Sequence, residues 1–346
     1  MMSQYRLLFP FEKIPSGSNI LLYGAGTTGK HYLKQLLMSN YCNVVAVIDK
    51  NYGAYASFVV PVYPIEKVPT LAYDYIVIAM QSPTYNVEIM GDLKKCGVSE
   101  DRVVFVGERE DVSYEKDGEG DATIFERDFS LYSGERQTGK KVSEIRMDHR
   151  QRYEMAADFL KNSFAPPQWT LGLDCFCGAG YGTHIMADAL TNANIIGIDA
   201  SEESVRFADH YYGHERIFFT TKRWPFVLGE KKFDFVVSFE SIEHVEDGLD
   251  LLDKQIAALK DGGYLLFSVP NERLHPLEKN PNAFHFRHYT HDEVLAALKG
   301  KVEIMHWYGQ DMFAIENGVK TGMLAENEMG LKENVEGQVL VYCCKK

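Results

Sequence analysis

The sequence predicts an α/β protein built as two doubly wound, parallel-sheet domains in series. Two observations carry that prediction. Twice, a short apolar run feeds a glycine-rich turn and then a helical pattern: Asn19–Tyr23 into Gly24-Ala-Gly-Thr-Thr-Gly29, and Thr170–Asp174 into Cys175-Phe-Cys-Gly-Ala-Gly-Tyr-Gly182. Behind each turn, continuous apolar runs alternate with helical segments, as strands covered on both faces do. A length of 346 residues suits two domains rather than one.

The first eighteen residues read as irregular, broken by Pro10 and Pro15. Asn19–Tyr23 is then a buried strand, with a helix from the glycines to about Met38. Val44–Ile48 is a second strand ending at Asp49, and Tyr75–Met80 a third. A helix over about Tyr85–Cys96 and a strand at Val103–Val106 close the unit. At about 90 residues it is shorter than a six-strand dinucleotide domain. Its expected bounds are 1–107. Residues 108–143 are acidic and glycine-punctuated, and read as a solvated linker.

The second domain is expected over 144–346. Met147–Phe164 reads as a helix with Tyr153, Ala156, Ala157 and Leu160 on one face, stopped by Pro166 and Pro167. Strands follow at Thr170–Asp174, Ile195–Asp199, Ile217–Thr220, Phe233–Phe239 and Tyr264–Val269. Helices fall at Thr183–Leu190, Glu202–Tyr211, Leu249–Leu259 and about Asp292–Leu298. Val302–Trp307 and Gln338–Cys343 would form a final antiparallel pair.

Composition narrows the function. The net charge is −13 with no basic run, which argues against a general nucleic-acid footprint. The six cysteines (Cys42, Cys96, Cys175, Cys177, Cys343, Cys344) make neither a Cys-x-x-Cys pair nor a zinc spacing, so a reducing compartment is expected. No secretory signal pattern and no bilayer-length apolar run are seen. The expectation is a cytoplasmic protein without membrane insertion.

The glycine turns point to nucleoside-containing ligands. In an open parallel sheet, ligands bind at the carboxyl ends of the strands near the switch point. A turn feeding a helix aims amide N–H groups and a positive helix end at one spot. Asp199, ending the next strand, can accept hydrogen bonds from vicinal ribose hydroxyls. Gly24, Gly26 and Gly29 with Asp49 repeat the pattern and fit a dinucleotide fingerprint. A nucleotide at the first domain is therefore expected, with docking or dimerisation as the rival.

Four segments then occur in order: Leu173-Asp-Cys-Phe-Cys-Gly-Ala-Gly-Tyr-Gly182, Ile195-Ile-Gly-Ile-Asp199, Phe233-Asp-Phe-Val-Val-Ser-Phe239 and Leu259-Lys-Asp-Gly-Gly-Tyr-Leu-Leu-Phe-Ser-Val-Pro-Asn271. Over about residues 147–308 the chain resembles a class I S-adenosylmethionine-dependent methyltransferase. The resemblance implies two Rossmann-like parallel-sheet domains, the C-terminal one of class I methyltransferase fold. It implies donor contacts at Asp174, Cys177, Gly178, Gly180, Asp199 and Phe239, with Ala200 and Ser201 near the adenine. Phe176 departs from the pattern, standing where many members have the first glycine. Phe219-Thr-Thr-Lys-Arg-Trp-Pro-Phe226 lacks the acid that often meets the adenine amine, and the Pro-Cys nucleophile of DNA cytosine methyltransferases is absent.

Phe239-Glu-Ser-Ile-Glu-His-Val-Glu-Asp247 carries the expected chemistry. Glu240, Glu243 and His244 would share one face of a helical turn. With His285, His288 or His291 from Phe284-His-Phe-Arg-His-Tyr-Thr-His291 they could hold a divalent cation, Mg2+ or Mn2+. The pattern resembles metal-dependent O-methyltransferases of small-RNA 2′-hydroxyls and of ubiquinone synthesis, and glycan-associated methyltransferases with Asn-Pro-Phe-His. Here Asn280-Pro-Asn-Ala-Phe-His285 has two residues inserted. The expected metal ligands are Glu240, Glu243, His244 and His285, and the expected catalytic residues His244 and His285. A metal-free His244 base and a purely structural role stay open. Arg287 and His288 could bind a polar acceptor or belong to a solvated loop.

The first domain resembles the N-terminal nucleotide- or sugar-nucleotide-binding domains fused to bacterial glycan-modifying transferases, though without a Tyr-x-x-x-Lys pair. The expected acceptor is a hydroxyl of a small molecule or glycan, most specifically a bacterial surface sugar or its nucleotide-linked precursor. A homo-oligomer is compatible with this reading. An NAD(P)-dependent oxidoreductase and a non-catalytic S-adenosylmethionine-binding regulator are the alternatives.

Overall fold

A computed structural model describes residues 9–10, 13–15, 17–39, 41–55, 58–80, 83–105, 130–164, 170–214, 216–226 and 228–346. The chain divides into two compact units, Met1–Glu115 and Lys116–Lys346. Val106, Pro166, Pro167 and the expected linker up to residue 129 lie outside the described residues.

The first unit holds β1 (Asn19–Tyr23), α1 (Thr27–Ser39), β2 (Asn43–Ile48), β3 (Val62–Tyr63), β4 (Tyr75–Ile78), α2 (Pro83–Lys95) and β5 (Val103–Phe105). Its sheet is parallel throughout, in the order β3-β2-β1-β4-β5. The order reverses beside β1, so the Gly24–Gly29 turn stands at the switch point, where open α/β sheets take ligands. Leu21, Tyr23, Ala46, Ile48, Ile76 and Ile78 bury one face against Ile89 and Leu93 of α2. The two-residue β3 was not visible in the sequence, because no apolar run marks it.

The second unit holds α3 (Met147–Ser163), β6 (Thr170–Cys175), α4 (Tyr181–Ala189), β7 (Ala193–Asp199), α5 (Glu202–Tyr212), β8 (Ile217–Thr221), β9 (Phe233–Phe239), α6 (Gly248–Ala258), β10 (Leu259–Pro270), α7 (His291–Leu298), β11 (Glu303–Gln310), β12 (Phe313–Glu316), β13 (Val319–Met323), β14 (Lys332–Glu333) and β15 (Val339–Lys345). The eight-stranded sheet runs β14-β11-β15-β10-β9-β6-β7-β8. β6 to β10 pair in parallel. β15 inserts antiparallel between β10 and β11, the pairing expected for the last two runs. β12 and β13 form a separate hairpin.

Two details differ from the sequence reading. Asp261-Gly262-Gly263 does not separate helix from strand; it is an irregularity inside β10, where the register shifts between Leu259 and Tyr264. Residues 130–143, expected in a solvated linker, pack within the second unit. Leu131 is buried, its N–H bonds Glu203, and the Tyr212 hydroxyl donates to the Gly139 carbonyl. Among the described residues no helix is long and apolar enough to cross a membrane, and all six cysteines are free thiols.

Candidate functional site

β6 is buried along its whole length and delivers the chain to the glycine turn. Phe176 enters that turn with φ at 64°. A left-handed backbone costs a side-chain-bearing residue about 1–2 kcal/mol, so Phe176 keeps the conformation the missing glycine would have had. Its ring then lines a cavity of about 320 Å3.

The three glycines behind it do different things. A Cβ on Gly178 would meet no atom within 4 Å, and Gly178 borders the cavity. A Cβ on Gly180 would fall 2.4 Å from the Ala208 Cβ, and one on Gly182 2.1 Å from the Tyr153 ring. Gly178 thus leaves room for a ligand, while Gly180 and Gly182 let α4 close against α5, β8 and α3.

The two acids are also distinct. Asp174 is fully buried and away from the cavity lining. Its carboxyl accepts from Tyr153 Oη at 3.3 Å and Thr183 Oγ1 at 2.5 Å. Burial raises its pKa to about 7, against the opposing pull of those hydroxyls. Asp199 borders the cavity. Its Oδ2 accepts from the Gly178 amide at 2.9 Å, and its Oδ1 from the Ser201 amide at 2.8 Å and Arg136 Nη2 at 3.1 Å. Cys177 and Phe239 line the cavity as well; Gly180 and Ala200 do not.

The far wall of the same cavity carries Glu240, His244, Asn282 and His285. His288 Nδ1 lies 2.7 Å from the His275 carbonyl oxygen, which can only accept, so that nitrogen holds a proton. His288 Nε2 then accepts from His285 Nδ1 at 2.8 Å. With Nδ1 turned to His288, the His285 ring presents Nε2 to the cavity. Asn282 supports this tautomer: its Oδ1 takes the Phe284 amide at 2.9 Å, leaving Nδ2 to donate to His285 Nε2 at 3.0 Å. His244 stands beside His285, with ring centres 4.8 Å apart. Burial and the neighbouring His285 push the His244 pKa down to about 3.

The carboxylate these histidines meet is Glu135, which the sequence reading missed. Its Oε1 lies 3.2 Å from His285 Nε2 and 3.7 Å from His244 Nε2. One ligand atom from each of Glu135, His244 and His285 lies within 4.8 Å of the others. Burial works to raise the Glu135 pKa, but the neighbouring His285, His244 and Asn282 hold it at about 2. No local pattern marks Glu135 as special; it sits among many acids in a stretch without periodicity.

Glu240 and Glu243 do not join that group. Glu240 Oε1 accepts from Ser268 Oγ at 2.8 Å and lies 3.4 Å from Arg152 Nη1. Glu243 is fully buried, with neither carboxyl oxygen hydrogen-bonded. Burial and the Glu240 charge push its pKa well up. A short 3₁₀ turn spans Ile242–His244 instead of a longer helix, which sends these side chains apart. His291 bonds the Tyr342 hydroxyl, and Arg287 pairs with Glu293.

In the first unit, Gly24 turns with φ at 109°, and a Cβ on Gly29 would fall 1.9 Å from the Gly24 carbonyl oxygen. Gly26 faces open space. Asp49 accepts from the Ala25 amide at 2.7 Å and the Asn51 amide at 2.8 Å. The turn amide and strand-end carboxylate thus meet as Gly178 and Asp199 do in the second unit.

Residues 147–309 match a family model described as a methyltransferase domain. The second unit thus resembles a methyltransferase domain. The chain is 30% identical over 129 residues to a probable S-adenosylmethionine-dependent methyltransferase of Mycolicibacterium smegmatis, covering 37% of this chain and 49% of that one. It is 33% identical over 110 residues to a ubiquinone biosynthesis O-methyltransferase of Actinobacillus pleuropneumoniae, covering 30% and 46%. The chain thus spans about half the length of these curated relatives. A solved S-adenosylmethionine-dependent methyltransferase from Mesorhizobium loti is 16% identical with a TM-score of 0.41, covering 56% of this chain and 100% of that one. Residues 16–104 match a family described as C2185-like, N-terminal. Glu135 and Arg136 precede the matched span, so both line the cavity from outside it.

Proposed function

We propose that the chain transfers a methyl group from S-adenosylmethionine to a hydroxyl oxygen, on a bacterial surface sugar or its nucleotide-linked precursor. One observation carries the reading: the Glu135–His244–His285 cluster faces the same cavity as Gly178 and Asp199. A sulfonium methyl beside a proton-accepting cluster is the arrangement that O-methylation needs. The acceptor oxygen attacks the methyl carbon, the carbon–sulfur bond breaks, and S-adenosylhomocysteine leaves. The hydroxyl proton passes to a histidine nitrogen or to solvent. Positioning supplies much of the acceleration in such a displacement. His244, with its pKa pushed down to about 3, is neutral at physiological pH and can accept a hydrogen bond from the acceptor hydroxyl.

The donor set also fits a divalent cation. His285 Nε2 and Glu135 Oε1 are both acceptors and stand 3.2 Å apart, so they need a proton or a cation between them. Glu135, His244 and His285 would hold the ion. When bound, it would lower the pKa of the acceptor hydroxyl. Within this reading the first unit binds a nucleotide through Gly24, Gly26, Gly29 and Asp49.

The test pairs binding with turnover. S-adenosylmethionine and NADH are added separately while thermal unfolding is followed, and labelled-methyl transfer to sugar and nucleotide-sugar acceptors is measured. Stabilisation by S-adenosylmethionine is expected, with His244→Ala and His285→Ala losing turnover by about 100-fold or more while still binding it. Stabilisation by NADH alone would overturn the reading. Full activity in EDTA would remove the cation and leave the histidine base.

A further inference from the structure

The strand pair β12 and β13 lies beyond the residues 147–309 that match the methyltransferase family, yet it walls the same cavity. Phe313 and Lys320, one from each strand, border the cavity together with His275. Side chains pin this hairpin on both sides. Gln338 Oε1 accepts the Met312 amide at 3.0 Å and the Phe313 amide at 2.9 Å, and its Nε2 donates to the Phe313 carbonyl at 2.5 Å. The buried Asn280 ties the hairpin to the loop that carries His285. Its Nδ2 donates to the Gly318 carbonyl at 2.9 Å, and its Oδ1 accepts the Lys320 amide at 2.8 Å. The hairpin and the histidine loop are therefore held together as one wall.

A row of rings runs along that wall. From His285 to His288, His275 and Phe313 the ring centres are 5.0, 5.4 and 5.7 Å apart, and Lys320 Nζ stands 5.2 Å from the Phe313 centre. Two groups in the row lack polar partners. His275 is 9% exposed, and its buried Nε2 makes no hydrogen bond, a costly state that a ligand's polar group would relieve. Lys320 has no carboxylate at ion-pair distance among the described residues. The other cations of the cavity do: Arg136 pairs with Asp199, Arg146 with Asp148, and the buried Arg152 stands 3.4 Å from Glu240.

The negative face of an aromatic ring attracts the C–H face of a sugar ring. A lysine ammonium is a point charge suited to phosphate or carboxylate. An imidazole nitrogen can bond a hydroxyl as donor or acceptor, according to its tautomer. We propose that His275, Phe313 and Lys320 form the acceptor subsite, and that the acceptor is a sugar carrying an anionic group. Its ring lies on Phe313, a hydroxyl meets His275 Nε2, and its phosphate or carboxylate meets Lys320. The inference rests on the O-methylation reading and adds the chemical class of the acceptor to it. The reacting hydroxyl at His285 and the anion at Lys320 stand at opposite ends of the row, so the acceptor is a molecule long enough to reach both.

The experiment is calorimetric titration of the full chain, saturated with S-adenosylhomocysteine. The probes are the 1-phosphates and the uronic acids of glucose, galactose and mannose, with the neutral methyl glycosides of the same sugars. At least one charged sugar is expected to bind about tenfold or more tighter than its neutral counterpart. Preference for the phosphates or for the uronates then tells which anion Lys320 takes. Lys320→Met should weaken the charged sugar by about tenfold and leave the neutral one unchanged, whereas Phe313→Ala should weaken both. Lys320 is exposed, so its replacement leaves the fold intact, and unchanged binding of S-adenosylhomocysteine checks this for each variant. Three outcomes overturn the inference: no charged sugar binds the loaded chain, neutral sugars bind as tightly as charged ones, or Lys320→Met keeps the full preference. Failure of S-adenosylhomocysteine to bind the wild type would instead overturn the methyl-donor reading itself.

Discussion

Gly182→Ala separates packing from ligand binding in the glycine turn. Gly182 lies in the first turn of α4, and its added methyl would stand 2.1 Å from the ring of Tyr153, a 5% exposed residue of α3. The ring must move or α4 must shift. Overpacking of this kind costs about 1–3 kcal/mol. Moving the ring also breaks the bond from Tyr153 Oη to the buried Asp174 carboxyl, worth about 1–3 kcal/mol when the acceptor is left without it. Alanine returns about 1 kcal/mol through helix propensity. The net is a loss of about 3 kcal/mol, or roughly 6–12 °C in melting temperature for a unit of this size. Denaturant and thermal unfolding of the full chain would measure it. Gly182→Ala combined with Tyr153→Leu, which removes the ring, should recover part of the loss. A single variant within about 0.5 kcal/mol of wild type would refute the packing argument.

The other substitutions sort by what each side chain meets. Gly178→Ala should cost only about 1 kcal/mol, from its left-handed backbone at φ 54°, yet weaken S-adenosylmethionine binding by at least about tenfold, because its methyl would enter the ligand's space; calorimetry reads both. Asp174→Asn should change the pH dependence of stability. The unfolded carboxyl ionises near 4 while the native one keeps its proton to about 7, so the wild-type contribution is full below about pH 4 and is lost as pH rises toward 7. The difference in unfolding midpoint between variant and wild type should therefore swing in the variant's favour across that window, and a flat difference would contradict the burial of Asp174.

The parallel sheet was legible because buried strands such as Phe233–Phe239 and Ile195–Asp199 are unbroken apolar runs. The glycine-turn side of the cavity has local features for a related reason: a glycine turn and a strand-end acid are short sequence patterns, and Gly178 and Asp199 both border the cavity. The histidine side of the cavity was legible only in part. His244 and His285 meet across the cavity, but the spacing of Glu240, Glu243 and His244 implied a shared helical face that a 3₁₀ turn does not provide. Glu135 and Arg152 left no signal. Glu135 is brought in by a segment without periodicity, and Arg152 reads as an ordinary polar position of an amphipathic helix until its burial is known.

Glu135 and Arg136 are neighbours in sequence, yet one touches the histidine pair and the other touches Asp199. This links the two halves of the cavity through one short stretch of chain. Each carboxylate oxygen offers about two acceptor positions. Asp199 Oδ1 already takes Ser201 and Arg136, and Oδ2 takes Gly178, so one position is left. A ribose presenting two hydroxyls to Asp199 needs a second, and Arg136 is the partner able to yield it, since the other two are backbone amides of the turn and the strand end. Arg136→Met should therefore bind S-adenosylmethionine at least as tightly as wild type and associate faster, whereas Asp199→Asn should bind about tenfold more weakly or worse. Stopped-flow and calorimetric titrations distinguish the two. Loss of donor affinity in Arg136→Met as large as that in Asp199→Asn would mean that Arg136 stays in place and that Asp199 meets the ribose through a single bond.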